Sequence, residues 1–172
     1  SVTSIGLEAF RGTPLKTITI PDSVTSIGNQ AFYGCNGLES VTLGVGVITI
    51  GASSFHSTAL KTITIPDSVT SIGLEAFRGT PLKTIAIPDG VTTLSNMVLQ
   101  GCTRLESVSL GKGLKSISDT AFAGCTLIAS LTLDTPLVGM ALTEGFMATY
   151  FGDSVANIKA VTIGDDLSLI HI

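Results

Sequence analysis

Tryptophan is absent from the 172 residues, which include only two histidines and three cysteines; aromatic residues make up 5% of the chain. Charge is sparse as well, at 13%, and lysine and arginine are not in excess: the formal net charge is −4. A chain without a basic surplus has no footprint for nucleic acid or an anionic lipid surface. Three cysteines give no disulfide framework, and no C-x-x-C spacing suggests a metal. Long hydrophobic runs are missing too. Stretches such as residues 45–50 are short and broken by Gly and Thr, far below the ~20 residues of a membrane-spanning helix. No G-x-x-x-x-G-K-S/T phosphate loop occurs.

What is present is apolar mass. Hydrophobic residues make up 44% and the mean hydropathy is +0.55. That much apolar surface excludes disorder and suffices for one sizeable core.

Internal repetition explains where the mass goes. Residues 1–20 read SVTSIGLEAFRGTPLKTITI, and residues 68–87 repeat them except that Ala86 stands for Thr19. The offset of 67 residues resolves into units beginning at Val2, Val24, Val47, Val69, Val91 and Leu114, each 22 or 23 residues long. In the second unit the inward set is Val24, Ile27, Ala31, Phe32, Cys35, Leu38, Val41 and Leu43. One unit cannot bury these groups alone, whereas stacked units share a continuous core. The period-2 alternation around Val41 and Leu43 predicts a strand with Ser40 and Thr42 facing out. Pro21-Asp22-Ser23 and Pro66-Asp67-Ser68 are turn sequences that stop it. Residues 24–27 predict a second short strand ended by Gly28, and the stretch through Ala31-Phe32 one helical or 3₁₀ turn before Gly34.

The L-x-x-I-x-I strand motif resembles leucine-rich repeats. The linked signature I-P-x-x-V-x-x-I-G-x-x-A-F-x-G-C-x-x-L resembles the BspA-like subfamily, over residues 1–133 in six repeats. The resemblance implies a right-handed curved solenoid with a parallel β-sheet on its concave face and short strands or 3₁₀ turns elsewhere. It also implies an extracellular or cell-surface protein of the kind implicated in adhesion to host matrix or cell-surface proteins, or to glycans. Function does not follow from fold automatically.

The pattern weakens in places. In the fifth repeat Leu94-Ser95 replaces Ile-Gly and Val98-Leu99 replaces Ala-Phe. Residues 134–166 read as one divergent long repeat with a helical insertion near 136–150 and a Phe151-Gly152 pair before the returning strand; the unit either caps the core or varies the convex surface, and variation is the favoured reading. Residues 167–172, LSLIHI, half-fit the repeat and match what CTG-TCT-CTT-ATA-CAC-ATC encodes, which resembles a transposase sequencing adapter. The chain is therefore expected to be a fragment of a longer array with an adapter-derived tail.

Few residues offer chemistry. Cys35, Cys102 and Cys125 share the position that Thr13, Thr58 and Thr80 hold in other repeats. The exchange points to small, buried, weakly polar groups touching the backbone, and to inert core thiols. Cys102 and Cys125, one repeat apart, fall within disulfide reach, though stacked parallel side chains need not meet the dihedral. His56 stands where Arg11, Tyr33 and Arg78 stand elsewhere, a variable position expected to be exposed, with no nucleophile or orienting carboxylate nearby. His171 falls in the suspect tail. Stacking aligns Asp67 with Asp89 as a weak calcium edge, but Val45 and Lys112 break that ladder, so solvated turn residues are the better reading. No catalytic residue, metal ligand or cofactor is assigned.

The concave strip is the informative surface. Its outward residues are Thr17/Thr19, Ser40/Thr42, Thr62/Thr64, Thr84/Ala86, Ser107/Ser109, Ser130/Thr132 and Ala160/Thr162, flanked by Lys16, Glu39, Lys61, Lys83 and Glu106. Lys16–Glu39–Lys61 and Lys83–Glu106 are expected as opposite-charge neighbours across strands. Small β-branched hydroxyls also simply suit a crowded sheet, and the strip has no Trp, Tyr or Arg anchor. Arg11, Tyr33, His56, Arg78 and Gln100 form a more varied row on the opposite corner. The candidate binding surface is Thr17, Thr19, Ser40, Thr42, Lys61, Thr62, Thr64, Lys83, Thr84, Ser107 and Ser109, with Arg78 from the second row. The reading is a non-enzymatic binding or adhesion module. The competing one is a structural spacer or stalk that self-associates end to end or by its sheet edge.

Overall fold

The computed structural model describes residues 1–134, 149–151 and 157–163. In it the six repeats close six stacked coils, each starting at the expected Val or Leu. In chain order the strands are β1 (Ser4–Ile5), β2 (Thr17–Thr19), β3 (Ser26–Ile27), β4 (Ser40–Thr42), β5 (Thr49–Ile50), β6 (Ser71–Ile72), β7 (Thr84–Ile87), β8 (Thr93–Leu94), β9 (Ser107–Leu110), β10 (Ser116–Ile117), β11 (Ser130–Leu133) and β12 (Ala160–Ile163). All pairings are parallel and in repeat register, as in Ser130↔Ser107 and Ser26↔Thr49. The architecture is the parallel-strand solenoid that the resemblance implies.

The inward set of the second coil is buried throughout, and so are its counterparts in coils three to six except Ile63, which is partly buried. Phenylalanine forms a column through the core. Phe10, Phe32, Phe55 and Phe77 stack with ring centroids 5.2, 5.2 and 5.6 Å apart and planes within 4° of parallel. Leu99 interrupts the column, and Phe122 resumes it. Phe151 then stacks on Phe122 at 4.9 Å and is buried. It extends the core rather than varying the convex surface, because residues 149–151 are helical and the ring lies over the column's end. The rest of the expected helical insertion and the tail 167–172 lie outside the described residues.

The alanine beside the phenylalanine is Ser54 in the third coil, fully buried and with no partner for its hydroxyl among the described residues. An unmet buried hydroxyl costs roughly 1–3 kcal/mol. Ser54→Ala is therefore expected to raise the urea midpoint without changing the denaturant slope; a lowered midpoint would show that the hydroxyl has a partner.

The stretch through Ala31-Phe32 is a chain of β-turns and not the expected helical or 3₁₀ turn. Gln30 and Gly34 have φ of 55° and 67°, a left-handed conformation that no right-handed helix tolerates. Alternate N–H groups serve two purposes. Those of Ala31, Tyr33 and Cys35 close turns within the coil, whereas those of Gln30, Phe32 and Gly34 donate to Ala52, Ser54 and His56 of the next coil. This arc ladder joins every successive pair of the six coils.

The two strand faces are less continuous. The short strands pair in the order β1-β3-β5-β6, then separately as β8 with β10. The gap falls where serine first replaces glycine. A Cβ on Gly73 would lie 2.5 Å from the backbone of Ala52 in the preceding coil. Ser95 carries that Cβ, its hydroxyl takes the Ile72 carbonyl at 3.2 Å, and β8 does not pair with β6.

On the concave face β2 pairs with β4, and β7, β9, β11 and β12 form a second sheet. The strand expected at Thr62 and Thr64 does not form: residues 62–65 make no backbone hydrogen bond to any described residue. Coil length explains this. Coils two and five read C-x-x-L between arc and strand (Cys35 to Leu38, Cys102 to Leu105) and coil six C-x-x-I (Cys125 to Ile128), and each pairs its strand with its predecessor. Coils three and four read T-x-L, one residue shorter, and neither pairs backwards. The extra residue closes another turn, with Leu38 and Leu105 donating to the Cys35 and Cys102 carbonyls, and gives the strand the reach to meet its neighbour.

Candidate interaction surfaces

The outward residues of the concave face form two columns in register. Thr17 and Thr19 lie beside Ser40 and Thr42; Thr84 lies beside Ser107, then Ser130, then Ala160. Thr17, Thr19, Ser40, Thr42, Thr62, Thr64 and Thr84 are exposed, while Ser107 and Ser109 are half-buried. Thr62 and Thr64 sit on the unpaired stretch, flanked by two shallow recesses of about 400 and 350 Å³. Val45, Ile65 and Pro66 help line the first, Asp67, Asp89 and Asp134 the second.

Of the expected cross-strand charge pairs one forms. Lys61 Nζ lies 2.9 Å from Glu39 Oε2, both side chains more than half exposed. The hydrogen bond from Lys61, its charge and that of Lys16 hold the Glu39 carboxyl below its ordinary range. Among the described residues Lys83 and Glu106 form no ion pair, though their coils are joined by the Glu106 N–H to Lys83 carbonyl bond.

Arg78 is not on this strip. It belongs to the arc, where the more varied residues interlock across coils. Arg11 bonds Glu8 at 2.7 Å and Gln30 at 2.8 Å and lies over the Tyr33 ring at 5.0 Å. Tyr33 meets the His56 ring edge-on at 4.8 Å. On its other side His56 Nδ1 is 3.5 Å from Glu75 Oε2, and Glu75 also accepts from Arg78 at 2.9 Å and from Ser53 at 3.2 Å.

His56 is therefore not the exposed residue its variable position predicts: its side chain is 15% exposed, covered by Tyr33 from one coil and by Glu75 and Arg78 from another. Burial lowers its pKa below the ordinary 6.5; Glu75 opposes this shift and Arg78 adds to it. The folded state then binds this proton less readily than the unfolded state. The stability His56 contributes is complete above about pH 6.5 and is lost as pH falls through the lower folded value. Between about pH 7.5 and pH 5 the melting temperature of His56→Gln is expected to fall less than that of the parent; parallel declines would show that His56 does not titrate in this window.

The cysteines and threonines of the shared column divide by coil length. Thr13, Thr58 and Thr80 donate to the carbonyls of Phe10, Phe55 and Phe77 in their own coils, at 2.8–3.0 Å. Cys35, Cys102 and Cys125 reach back to Phe10, Phe77 and Leu99 of the preceding coil, at 2.9–3.2 Å. All three thiols are free and buried. The neighbouring Cys102 side chain, together with burial, pushes the Cys125 thiol up, so it stays protonated.

Asp22 and Asp89 are more than solvated turn residues. Their carboxylates accept the backbone N–H of Val45 at 2.9 Å and of Lys112 at 2.8 Å, each in the next coil. Among the described residues no three His, Cys, Asp or Glu side chains gather in a metal-binding arrangement, and no hydroxyl or thiol bonds His56.

The BspA type leucine rich repeat region family matches residues 3–129 in six copies. Among solved structures the chain is similar to a leucine rich repeat protein of T. pallidum, with 32% identity and a TM-score of 0.72 over 76% of this chain and 62% of that one. It is similar to a leucine-rich repeat protein of Bacteroides ovatus, with 25% identity and a TM-score of 0.60 over 95% and 64%. It also resembles a leucine rich cell surface protein of Faecalibacterium prausnitzii, with 26% identity and a TM-score of 0.60 over 98% and 56%. The chain thus spans about three fifths of the length of these relatives. No curated protein matches it.

Proposed function

The chain belongs to the BspA-type leucine-rich repeat family, and from that premise we propose that it is a non-enzymatic binding module of a cell-surface or secreted protein. The observation that carries the reading is the concave strip: exposed Thr and Ser side chains in two registered columns, held on a core that is buried from coil to coil. Its ligand class is a host matrix or cell-surface protein, or a glycan, contacted by many small hydroxyls. The F. prausnitzii relative, named a cell surface protein, supports the location, and no helix among the described residues is long and apolar enough to cross a membrane.

The strip lacks Trp, Tyr and Arg, the residues that dominate binding hot spots, and this favours a second reading, a structural spacer. Saturable binding to an immobilised panel of extracellular-matrix proteins and glycans separates the two. Thr62→Asp with Thr64→Asp is expected to weaken such binding at least about tenfold, or about 1.4 kcal/mol, with the circular dichroism spectrum unchanged. Arg78→Asp reports on the arc row instead. Absence of saturable binding across the panel supports the spacer.

A further inference from the structure

The chain has four asparagines, Asn29, Asn36, Asn96 and Asn157, and only Asn36 precedes a glycine. Asparagine is a thermolabile residue. It loses its side-chain amide when the backbone nitrogen of the next residue attacks its Cγ. The attack needs that nitrogen unblocked and the asparagine side chain at liberty to turn towards it. Glycine, with no side chain to screen its nitrogen, meets the first need best.

The structure separates the four asparagines on both counts. Asn29 Oδ1 accepts the Ala52 N–H at 2.8 Å, and the nitrogen that would attack it, that of Gln30, donates to the Ala52 carbonyl at 2.8 Å. Asn96 is followed by Met97, whose nitrogen donates to the Thr120 hydroxyl at 3.3 Å. Asn157 gives its side-chain amide to the Thr126 carbonyl at 2.9 Å. Asn36 is exposed, and among the described residues neither its side chain nor the Gly37 N–H makes a hydrogen bond. The pair forms the centre of a β-turn closed by the Leu38 N–H on the Cys35 carbonyl at 2.9 Å. That bond engages Leu38 and spares Gly37.

We propose that Asn36-Gly37 is a site of spontaneous deamidation that loosens β4 from β2, with water as the co-reactant. The Gly37 nitrogen bonds to Asn36 Cγ, the Cγ–Nδ2 bond breaks, and the side-chain nitrogen leaves as ammonia with the Gly37 proton. Water then opens the cyclic imide. Cleavage between Gly37 N and Cγ leaves aspartate. Cleavage between Gly37 N and the main-chain carbonyl carbon leaves isoaspartate, whose backbone runs through Cβ and Cγ and is one atom longer. The extra atom falls inside the Cys35 to Leu38 link, the segment that gives β4 its reach to β2. It distorts the turn that the Leu38 bond closes, just ahead of Ser40 and Thr42 on the concave strip.

The folded chain is incubated at mildly alkaline pH and mapped by mass spectrometry. Asn36 is expected to convert at least about tenfold faster than Asn29, Asn96 and Asn157, a barrier difference of about 1.4 kcal/mol. The product is expected to accept methyl groups from an isoaspartyl methyltransferase. The Glu39 and Ser40 amides, which donate to the Lys16 carbonyl, are expected to exchange about tenfold faster in the isoaspartyl chain than in the fresh one. Asn36→Thr places in coil two the residue that coil five carries as Thr103 in the same turn. This variant is expected to fold, to accept no methyl group at position 36 and to keep slow exchange at Glu39 and Ser40 after the same incubation. Conversion of Asn36 no faster than that of the other three overturns the proposal, and so does unchanged exchange at Glu39 and Ser40 in the isoaspartyl chain.

Discussion

Amide hydrogen exchange is expected to be fast at residues 62–65 and slow in β9 and β11, with rates differing by roughly a thousandfold or more, the factor that separates solvated groups from those released only by larger openings. The four residues occupy strand positions of the third coil, yet none of their N–H or C=O groups bonds a described residue. The cause lies upstream, in Thr58-Ala59-Leu60, which is one residue shorter than the Cys-x-x-Leu link of coils two and five. Replacing Thr58 by Cys and Ala59 by the pair Asn-Gly rebuilds the second coil's link in the third. That variant is expected to pair residues 62–65 with β4 and slow their exchange about 100-fold or more. Unchanged exchange in the lengthened coil would show that length does not govern pairing.

The largest single-residue loss of stability is expected at Phe55. Its ring is fully buried in the aromatic column, between Phe32 at 5.2 Å and Phe77 at 5.6 Å. Truncation to alanine opens a cavity that relaxes only in part, at about 3–5 kcal/mol, a large share of the ~5–15 kcal/mol that holds a typical domain. The third coil has few other resources, since its concave segment is unpaired and Ser54 holds an unmet hydroxyl. In a stacked array each coil is stabilised mainly by its neighbours, so Phe55→Ala is also expected to broaden urea unfolding. Phe10→Ala is the internal comparison, in the same column but only partly buried at the open end. If the two variants lose equal stability, burial within the column is not what makes Phe55 important.

The core was legible because it is periodic. Val24, Ile27, Ala31, Phe32, Cys35, Leu38, Val41 and Leu43 are all buried, and each recurs at a fixed position that only stacking explains. The thiols were legible too, since exchange of Cys with Thr marks a small group facing a carbonyl. Other features depend on what lies above and below a residue, which the pattern of one repeat does not show. His56 occupies an outward position but is covered by Tyr33 and Glu75, each 19 to 23 residues away in sequence and adjacent in the stack. Asp22 has the sequence of a solvated turn, and its partner, the Val45 amide, belongs to the next coil. The interrupted sheet did leave a signal. Cys-x-x-Leu against Thr-x-Leu predicts which strands pair backwards, but only once the one-residue difference is read as reach rather than as harmless length variation.

The two faces break at different levels. Between coils two and three, and three and four, the concave strands are unpaired while β3, β5 and β6 remain joined. Between coils four and five the short strands part at Ser95 while β7 holds β9. The seams are staggered like the joints in a brick wall, and no plane between coils crosses open joints on both faces. A tear started on one side by a pulling force runs into intact mortar on the other. The array can therefore flex locally at each seam without offering a path along which it shears in two.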